Sequence, residues 1–217
     1  MRTLTFTDIE FLVWAVRWTL LLSALAFGGG AVVGITIAFM RTAQHRLQRY
    51  LAIAYIRLFQ GTPLLLQLFL VFFGGDMIGV AVDPWIAAML GLSLNAGAFL
   101  GEIWRGAIQG VPKGQIEAAR SLGLHYVPIM FRVVLPQALR LAVAPTVGFL
   151  VNLVKSTSLA SILGFVELIR AGQLLNNATF RPFLIFGTVA LIYFVICWPL
   201  TIASRRLEKR LAQAYRR

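Results

Sequence analysis

Long apolar runs separated by short polar intervals dominate this chain. A helix needs ~20 mostly apolar residues to cross a hydrocarbon core about 30 Å thick, and five runs meet that length, over about 12–40, 51–73, 84–103, 141–163 and 183–203. The first is interrupted by Arg17 and softened by Gly28, Gly29, Gly30 and Gly34; the second carries Arg57 and, in its first half, the helix-breaking run Gln60-Gly61-Thr62-Pro63. No internal repeat or low-complexity stretch is apparent. The pattern predicts an all-α integral membrane protein with about five transmembrane helices, forming a single transmembrane domain across residues 1–217. Ala24-Leu25-Ala26 has the form of a leader-cleavage site, but a leader puts positive charge before a short apolar core. Here Asp8 and Glu10 come first, Arg17 lies inside the run and apolar character continues past Ala26, so the run is expected to remain as a crossing.

Composition points the same way. Of 217 residues 59% are apolar and 13% charged, against ~45–50% and ~25% in soluble globular chains. This argues against a soluble domain and against a disordered tail. One cysteine, Cys197, excludes a disulfide framework and a Cys-rich metal site. The net charge of +12 fits nucleic acid, anionic lipid or membrane topology, and its distribution decides. Most of the 20 basic residues fall in three alternate segments. These hold Arg41, Arg46 and Arg49; Arg105, Lys113, Arg120, Arg132 and Arg140; and Arg205, Arg206, Lys209, Arg210, Arg216 and Arg217. The intervening segments hold Arg2, Arg170 and Arg181 beside Asp8, Glu10, Asp76, Asp83 and Glu167. Positive-inside reasoning places the N-terminus outside and the C-terminus in the cytoplasm, with the charge explained by topology and no nucleic-acid partner required.

The longest predicted cytoplasmic connection, 105–140, reads as structured. Gln115, Ile116, Glu117, Ala118, Ala119, Arg120, Ser121 and Leu122 are mostly good helix formers, fenced by Pro112 and Gly114 before and by Gly123 after. Ile116, Ala119 and Leu122 recur at helical spacing, and Glu117 and Arg120 are placed to pair. A two-turn helix does not hold itself in water, so its stripe docks on something. The choices are the membrane surface, the chain's own spans, or a cytoplasmic partner.

A resemblance separates these choices. Glu117-Ala118-Ala119, Gly123 and Val133-Val134-Leu135-Pro136 resemble the EAA loop of bacterial ABC-importer membrane subunits, departing where Val133 stands in place of a frequent isoleucine. Further blocks match the polar amino-acid subfamily: Gln60-Gly61-Thr62-Pro63-Leu64, Asn95-Ala96-Gly97-Ala98-Phe99, Glu102-Ile103-Trp104-Arg105-Gly106, Val111-Pro112-Lys113-Gly114-Gln115, Leu135-Pro136-Gln137-Ala138-Leu139-Arg140, and Asn152 with Lys155-Ser156-Thr157-Ser158-Leu159. Gln60 departs from that subfamily, where arginine is usual. The similarity runs from about residue 18 to 206. It implies that Gln115, Ile116, Glu117, Ala118, Ala119, Leu122, Gly123 and Leu124 form the coupling helix that seats in a cytoplasmic ATPase. It also implies two ATPase subunits, a second permease chain in a homo- or heterodimer, an extracytoplasmic solute-binding protein and a polar amino acid as cargo. No cofactor is expected in this chain, ATP and Mg being bound by the partner ATPase.

Polar groups in the spans are costly and need an account. Arg17 and Arg57 lie near span ends and are expected to snorkel to the headgroups. Glu102 and Arg105, three apart, form a structural pair or a ligand contact. Lys155 sits among Asn152, Ser156, Thr157, Ser158 and Ser161, a cluster suited either to a water-filled path or to interhelical hydrogen bonds. Irregular backbone such as the Gly-Thr-Pro break is tolerated where it is buried or lines a cavity. Thr62, Asn95, Asn152, Lys155 and Ser158 are therefore expected to border a translocation route, and the 30–34 small-xxx-small motif to be a helix contact.

The sequence has no phosphate-binding loop. His45 and His125 lack partners at metal spacing, and no triad can be built from them. A self-contained secondary transporter would use intramembrane carboxylates, of which only Glu102 is available, near a span end. A membrane-embedded enzyme would need convergent acid–base or metal groups, and none is found.

Overall fold

The computed structural model describes residues 5–43, 45–77 and 79–215; Arg2, Arg216 and Arg217 lie outside these. The described residues form helices and connections, with no strand. Helix α1 spans Phe6–Thr42 and opens on a capping box in which the Thr5 amide donates to Asp8 Oδ2 at 2.9 Å. Its 37 residues extend ~55 Å at ~1.5 Å per residue, well beyond the hydrocarbon core. Helix α4, Pro84–Gln109, starts where the Asp83 carboxylate accepts from the Trp85 amide at 2.8 Å and proline occupies the first turn.

These two helices form the centre of the bundle and run parallel. Gly29 faces Ser93, Gly30 faces Ala96, and Gly34 faces Leu100. A Cβ at Gly30 would stand 2.5 Å from that of Ala96, and one at Gly34 2.9 Å from that of Leu100. The 30–34 motif is thus a backbone-close helix contact.

The run expected over 51–73 is not one straight rod. It consists of α2 (Arg46–Gly61) and α3 (Leu64–Met77), bent by 103°. Pro63 has no amide hydrogen and disfavours the α conformation at the residue before it, and Thr62 is extended at φ −116°, ψ 146°. Among the described residues four helices are long and apolar enough to cross a membrane, or five crossings if the bent pair counts as one.

After α4 come α5 (Lys113–Ser121), a single turn α6 (Tyr126–Pro128), a π-helical segment Ile129–Val134 and α7 (Leu135–Ser156). The α-helical part of the fourth apolar run therefore stops at Ser156 and continues as a 3₁₀ segment, Thr157–Leu163. Helices α8 (Leu168–Thr179) and α9 (Pro182–Tyr215) complete the chain.

Packing sorts the element ends. The last turns of α1 and α4 meet the start of α7 in an apolar groove that includes Ile35, Phe39, Trp104, Ile108, Leu135 and Leu139, and α5 hangs from this end. At the opposite end Leu12 and Ala15 pack with Leu168, Ala171, Ile185 and Val189. Because α9 runs from that end back past Ala144, whose carbonyl accepts from Ser204 Oγ at 3.0 Å, α1 begins and α9 finishes on opposite faces.

Candidate functional site

In an unbroken helix the Phe59 carbonyl would accept from the amide four residues on, which is Pro63 and has no hydrogen to give. Two side-chain amides take its place: Gln67 Nε2 donates to Phe59 O at 2.8 Å and Asn95 Nδ2 donates to it at 3.2 Å. Gln67 Nε2 also lies 3.1 Å from Thr62 O and 2.9 Å from Thr62 Oγ1. Its Oε1 accepts from Asn95 Nδ2 at 3.0 Å. Beside this knot the Tyr55 hydroxyl donates to Leu94 O at 2.6 Å and Gln60 Nε2 to Ala98 O at 3.2 Å, tying α2 to α4. A broken helix in an apolar setting is thus held by side chains that replace the missing ladder, as an intramembrane break requires.

Against this knot lies a pocket of ≈ 300 Å³ walled by Phe59, Gln60, Thr62, Leu64, Asn95, Phe99, Phe149, Asn152 and Ser156. The structure therefore brings Thr62, Asn95 and Asn152 to one cavity. Lys155 and Ser158 are not on its wall. Lys155 is exposed one residue before the end of α7, and Ser158 lies in the 3₁₀ segment with its hydroxyl donating to Lys155 O at 2.6 Å. Gln67 was not singled out in the sequence; its signal is an amide inside the apolar run Leu64-Leu65-Leu66-Gln67-Leu68-Phe69-Leu70.

Other intramembrane charges are used locally. The Arg17 guanidinium lies 4.6 Å from the Trp14 ring centroid and 5.2 Å from that of Trp18, so it is held by aromatic faces. Arg57 is exposed. Arg105 pairs with Glu102 at 2.5 Å and reaches Gln109, while Arg41 Nε stands 3.9 Å from Glu102 Oε2. This cluster joins the ends of α1 and α4.

The helix α5 is finished by a Schellman motif. The Gly123 amide donates to Arg120 O at 2.9 Å and the Leu124 amide to Ala119 O at 3.2 Å, with Gly123 at φ 76° in the left-handed region. Ala119 is buried, and Ile116 and Leu124 pack with it against Ala107, Met130 and Ala138. The apolar stripe is therefore completed by Leu124. Leu122, expected in the stripe, is 81% exposed, because the cap turns the chain after Ser121. Nor does the expected Glu117–Arg120 pair form: both side chains are exposed and no ion pair joins them. Gly114 lies within the helix, which starts at Lys113. Gln115, Glu117, Ala118 and Leu122 project away from the bundle.

Between α5 and α7 the backbone is π-helical. The Leu135 amide donates five residues back to Met130 O, Pro136 offers no amide to Arg132 O, and Gln137 Nε2 donates to Val133 O at 2.8 Å. A missing donor followed by a side chain on the next carbonyl favours the wider turn. Such segments occur frequently at functional sites.

At the opposite end Glu167, read in the sequence only as a loop charge, is fully buried. It caps α8 through the Arg170 amide at 2.9 Å and accepts from the Tyr193 hydroxyl at 3.0 Å, while the Leu168 amide donates to Thr19 Oγ1 at 3.2 Å. Burial pushes its carboxyl above the usual range, opposed by the backbone amides of residues 168–170 and the Tyr193 hydroxyl.

A bundle of apolar helices with one broken crossing, a polar cavity at the break and a small helix projecting from one end defines an integral membrane transport subunit. The chain belongs to the family of binding-protein-dependent transport system inner membrane components, whose model matches residues 30–213, and it is a multi-pass inner-membrane protein. It is 34% identical to the glutamine transport system permease protein GlnP of Escherichia coli (strain K12), over 94% of each chain. It is 36% identical to the L-cystine transport system permease protein TcyB of Bacillus subtilis (strain 168), over 90% of this chain and 84% of that one. Among solved structures, a crystal structure of an amino acid ABC transporter with histidines superposes with a TM-score of 0.89 at 30% identity, covering 96% of this chain and all of that one. The fold extends to the MetNI methionine ABC transporter in inward-facing conformations, with a TM-score of 0.76 at 23% identity over 95% of this chain and 99% of that one.

Proposed function

We propose that this chain is one of two permease subunits through which polar amino acids, delivered by an extracytoplasmic binding protein, cross the membrane as two separate ATPase subunits hydrolyse ATP. The observation that carries the reading is the pocket at the α2–α3 bend, where polar side chains from three helices surround a cavity large enough for a small zwitterion. The relatives' amino-acid cargoes support the substrate class. Thr62, Asn95 and Asn152 border the route, and Lys155 and Ser158, on the same stretch of chain as Asn152, continue it toward the α8 end. The basic α5 end faces the cytoplasm by the positive-inside rule, which puts the N-terminus outside and the C-terminus inside.

The exposed face of α5, with Gln115, Glu117, Ala118 and Leu122, seats in the ATPase, while Ile116, Ala119, Gly123 and Leu124 fix α5 to its own bundle. Displacing α5 moves the π segment packed against it and hence α7, the helix carrying Asn152 and Lys155. ATP and its Mg ion belong to the partner, since this chain has no phosphate loop. Glu102 and Arg105 act structurally at the end of α4.

Reconstitution tests this. The chain in liposomes with its ATPase and binding protein should take up labelled amino acids only with ATP, and ATPase turnover should rise with loaded binding protein. Uptake by the chain alone, or uptake indifferent to ATP, overturns the proposal.

A further inference from the structure

The pocket has a hydrogen-bond polarity, and its origin can be traced to Pro63. Asn95 is 9% exposed, and its Nδ2 donates to Phe59 O and to Gln67 Oε1. An amide nitrogen has two hydrogens, so neither remains for a ligand. Asn95 Oδ1 has no partner among the described residues. It is also not enclosed: the buried side-chain atoms without partners are Arg41 Nε, Glu102 Oε2, Arg105 Nε and Asn176 Oδ1. Since Asn95 lines the pocket, its oxygen is the group it presents there.

The direction of the Asn95 amide depends in turn on Gln67. Rotating the Gln67 amide by half a turn would set Oε1 against Phe59 O and Thr62 O, two carbonyls 2.8 and 3.1 Å from the present nitrogen, and would place two donors face to face at Asn95. The carbonyl orphaned by Pro63 therefore fixes Gln67, and Gln67 fixes Asn95. Gln60 follows in part, because one Nε2 hydrogen is held by Ala98 O, leaving Oε1 and the second hydrogen. The Thr62 hydroxyl donates to Leu58 O at 2.7 Å and accepts from Gln67. Around Asn95 and Thr62 the cavity thus offers acceptors.

We infer that Gln67 is a positioning residue that turns the Asn95 oxygen into the pocket, so that the bend side of the site receives the ammonium group of an amino acid rather than its carboxylate. The inference rests on the proposal that this pocket lies on the route. Gln67 touches no substrate; it acts through Asn95.

The test uses the assembled permease–ATPase complex in detergent without binding protein, titrated with the L-amino acids and with their α-N-acetyl derivatives, reading protection against thermal unfolding. N-acetylation removes the ammonium and leaves the carboxylate. The best free amino acid should half-saturate the unaltered complex at about one-tenth of the concentration its acetyl derivative needs, the size expected for one hydrogen bond to a charged group. Gln67→Met should bring that ratio close to one. Adding Asn95→Asp to Gln67→Met should restore it, because a carboxylate presents oxygen whichever way it turns, and no purely structural role of Gln67 yields such a rescue. Should Gln67→Met not assemble, Gln67→Asn carries the same expectation, since its shorter side chain does not reach both Phe59 O and Asn95. Equal binding of free and acetylated forms, or an undiminished ratio in the Gln67 variants, overturns the inference and leaves the route intact. Absence of protection by any amino acid in a complex that still transports overturns the route, and the inference with it.

Discussion

The α2–α3 bend and the α5 end both interrupt regular helix, yet they finish their hydrogen bonds and contacts in opposite ways. At the bend the orphaned carbonyl of Phe59, the Thr62 hydroxyl and the amides of Gln67 and Asn95 bond one another inside the chain. At α5 the backbone is capped internally, but the side chains of Glu117 and Leu122 are left projecting, one charged and unpaired, the other a large apolar group. A bend that is internally complete can hold a cavity in one shape through many cycles. An end that is complete only in its backbone is rigid in position and open in its contacts, which is what docking requires. Mutations at the two places should therefore fail differently.

The largest effect is expected at the open end. Glu117→Lys reverses a charge that pairs with none of the described residues, so thermal unfolding of the isolated permease should shift by no more than about 0.5 kcal/mol. In the reconstituted complex, amino-acid uptake per ATP should fall at least ~10-fold, because reversing a charge within a docking contact disturbs its electrostatic complementarity. Normal coupling in this variant would remove α5 as the lever. At the closed bend the order reverses. Asn95→Leu leaves Gln67 Oε1 without a donor and Phe59 O with one fewer, and should cost about 1–3 kcal/mol in the unfolding of the permease alone. An unchanged midpoint would mean that the knot contributes nothing to the bend.

The crossings were legible because ~20 apolar residues in a row have few other uses, and the bend was legible as a break because Gly61, Thr62 and Pro63 together disfavour helix, whereas Pro145 and Pro199 stand singly inside α7 and α9. The angle of the bend was not, since 103° depends on which distant amides reach the freed carbonyl. Thr62, Asn95 and Asn152 could be nominated from polarity alone. Gln67 was passed over because a lone amide in an apolar run carries no local mark of its partners, which lie 5–28 residues away. Lys155 shows the converse: polarity nominates it, but Asn152 and Ser156, four apart on α7, share the face that meets the pocket, and Lys155 lies off that face. At α5 helical spacing identifies Ala119 correctly but not Leu122, since the spacing continues the helix past Ser121 where the chain makes a Schellman turn.

An intermediate effect is expected where the two regions communicate. Gln137→Leu removes the amide from Val133 O, a net loss of about 1 kcal/mol, and lets the backbone between α5 and α7 relax toward regular α-helix. Hydrogen exchange at Phe131–Leu135 should change in the assembled complex, and ATPase stimulation by loaded binding protein should drop while basal hydrolysis stays. If exchange changes and stimulation does not, the π segment is only a way of fitting Pro136 into the chain.

The smallest effect concerns a second closed region and asks whether internal completion extends to ionisable groups. Glu167 is sealed from solvent between Tyr193, Thr19 and the first turn of α8, and burial holds its carboxyl above the ordinary value of 4.5. The fold thus favours the protonated form. Its contribution to stability is fully present below that ordinary value and is lost as pH rises through the raised one. Glu167→Gln keeps one oxygen, which accepts from the Arg170 amide, sets an NH2 against the Tyr193 hydroxyl oxygen where the carboxylate accepted from it, and takes the titration away. The unfolding midpoint of the variant should therefore decline less than that of the unaltered protein as pH is raised from 5 to 8, with the two closest at the acid end. Glu117→Lys, made at the open end, should leave that slope as it was. Parallel declines for the unaltered protein and Glu167→Gln would show that hydrogen bonds from the α8 amides hold Glu167 ionised despite its burial, and that the closed regions carry no titrating group.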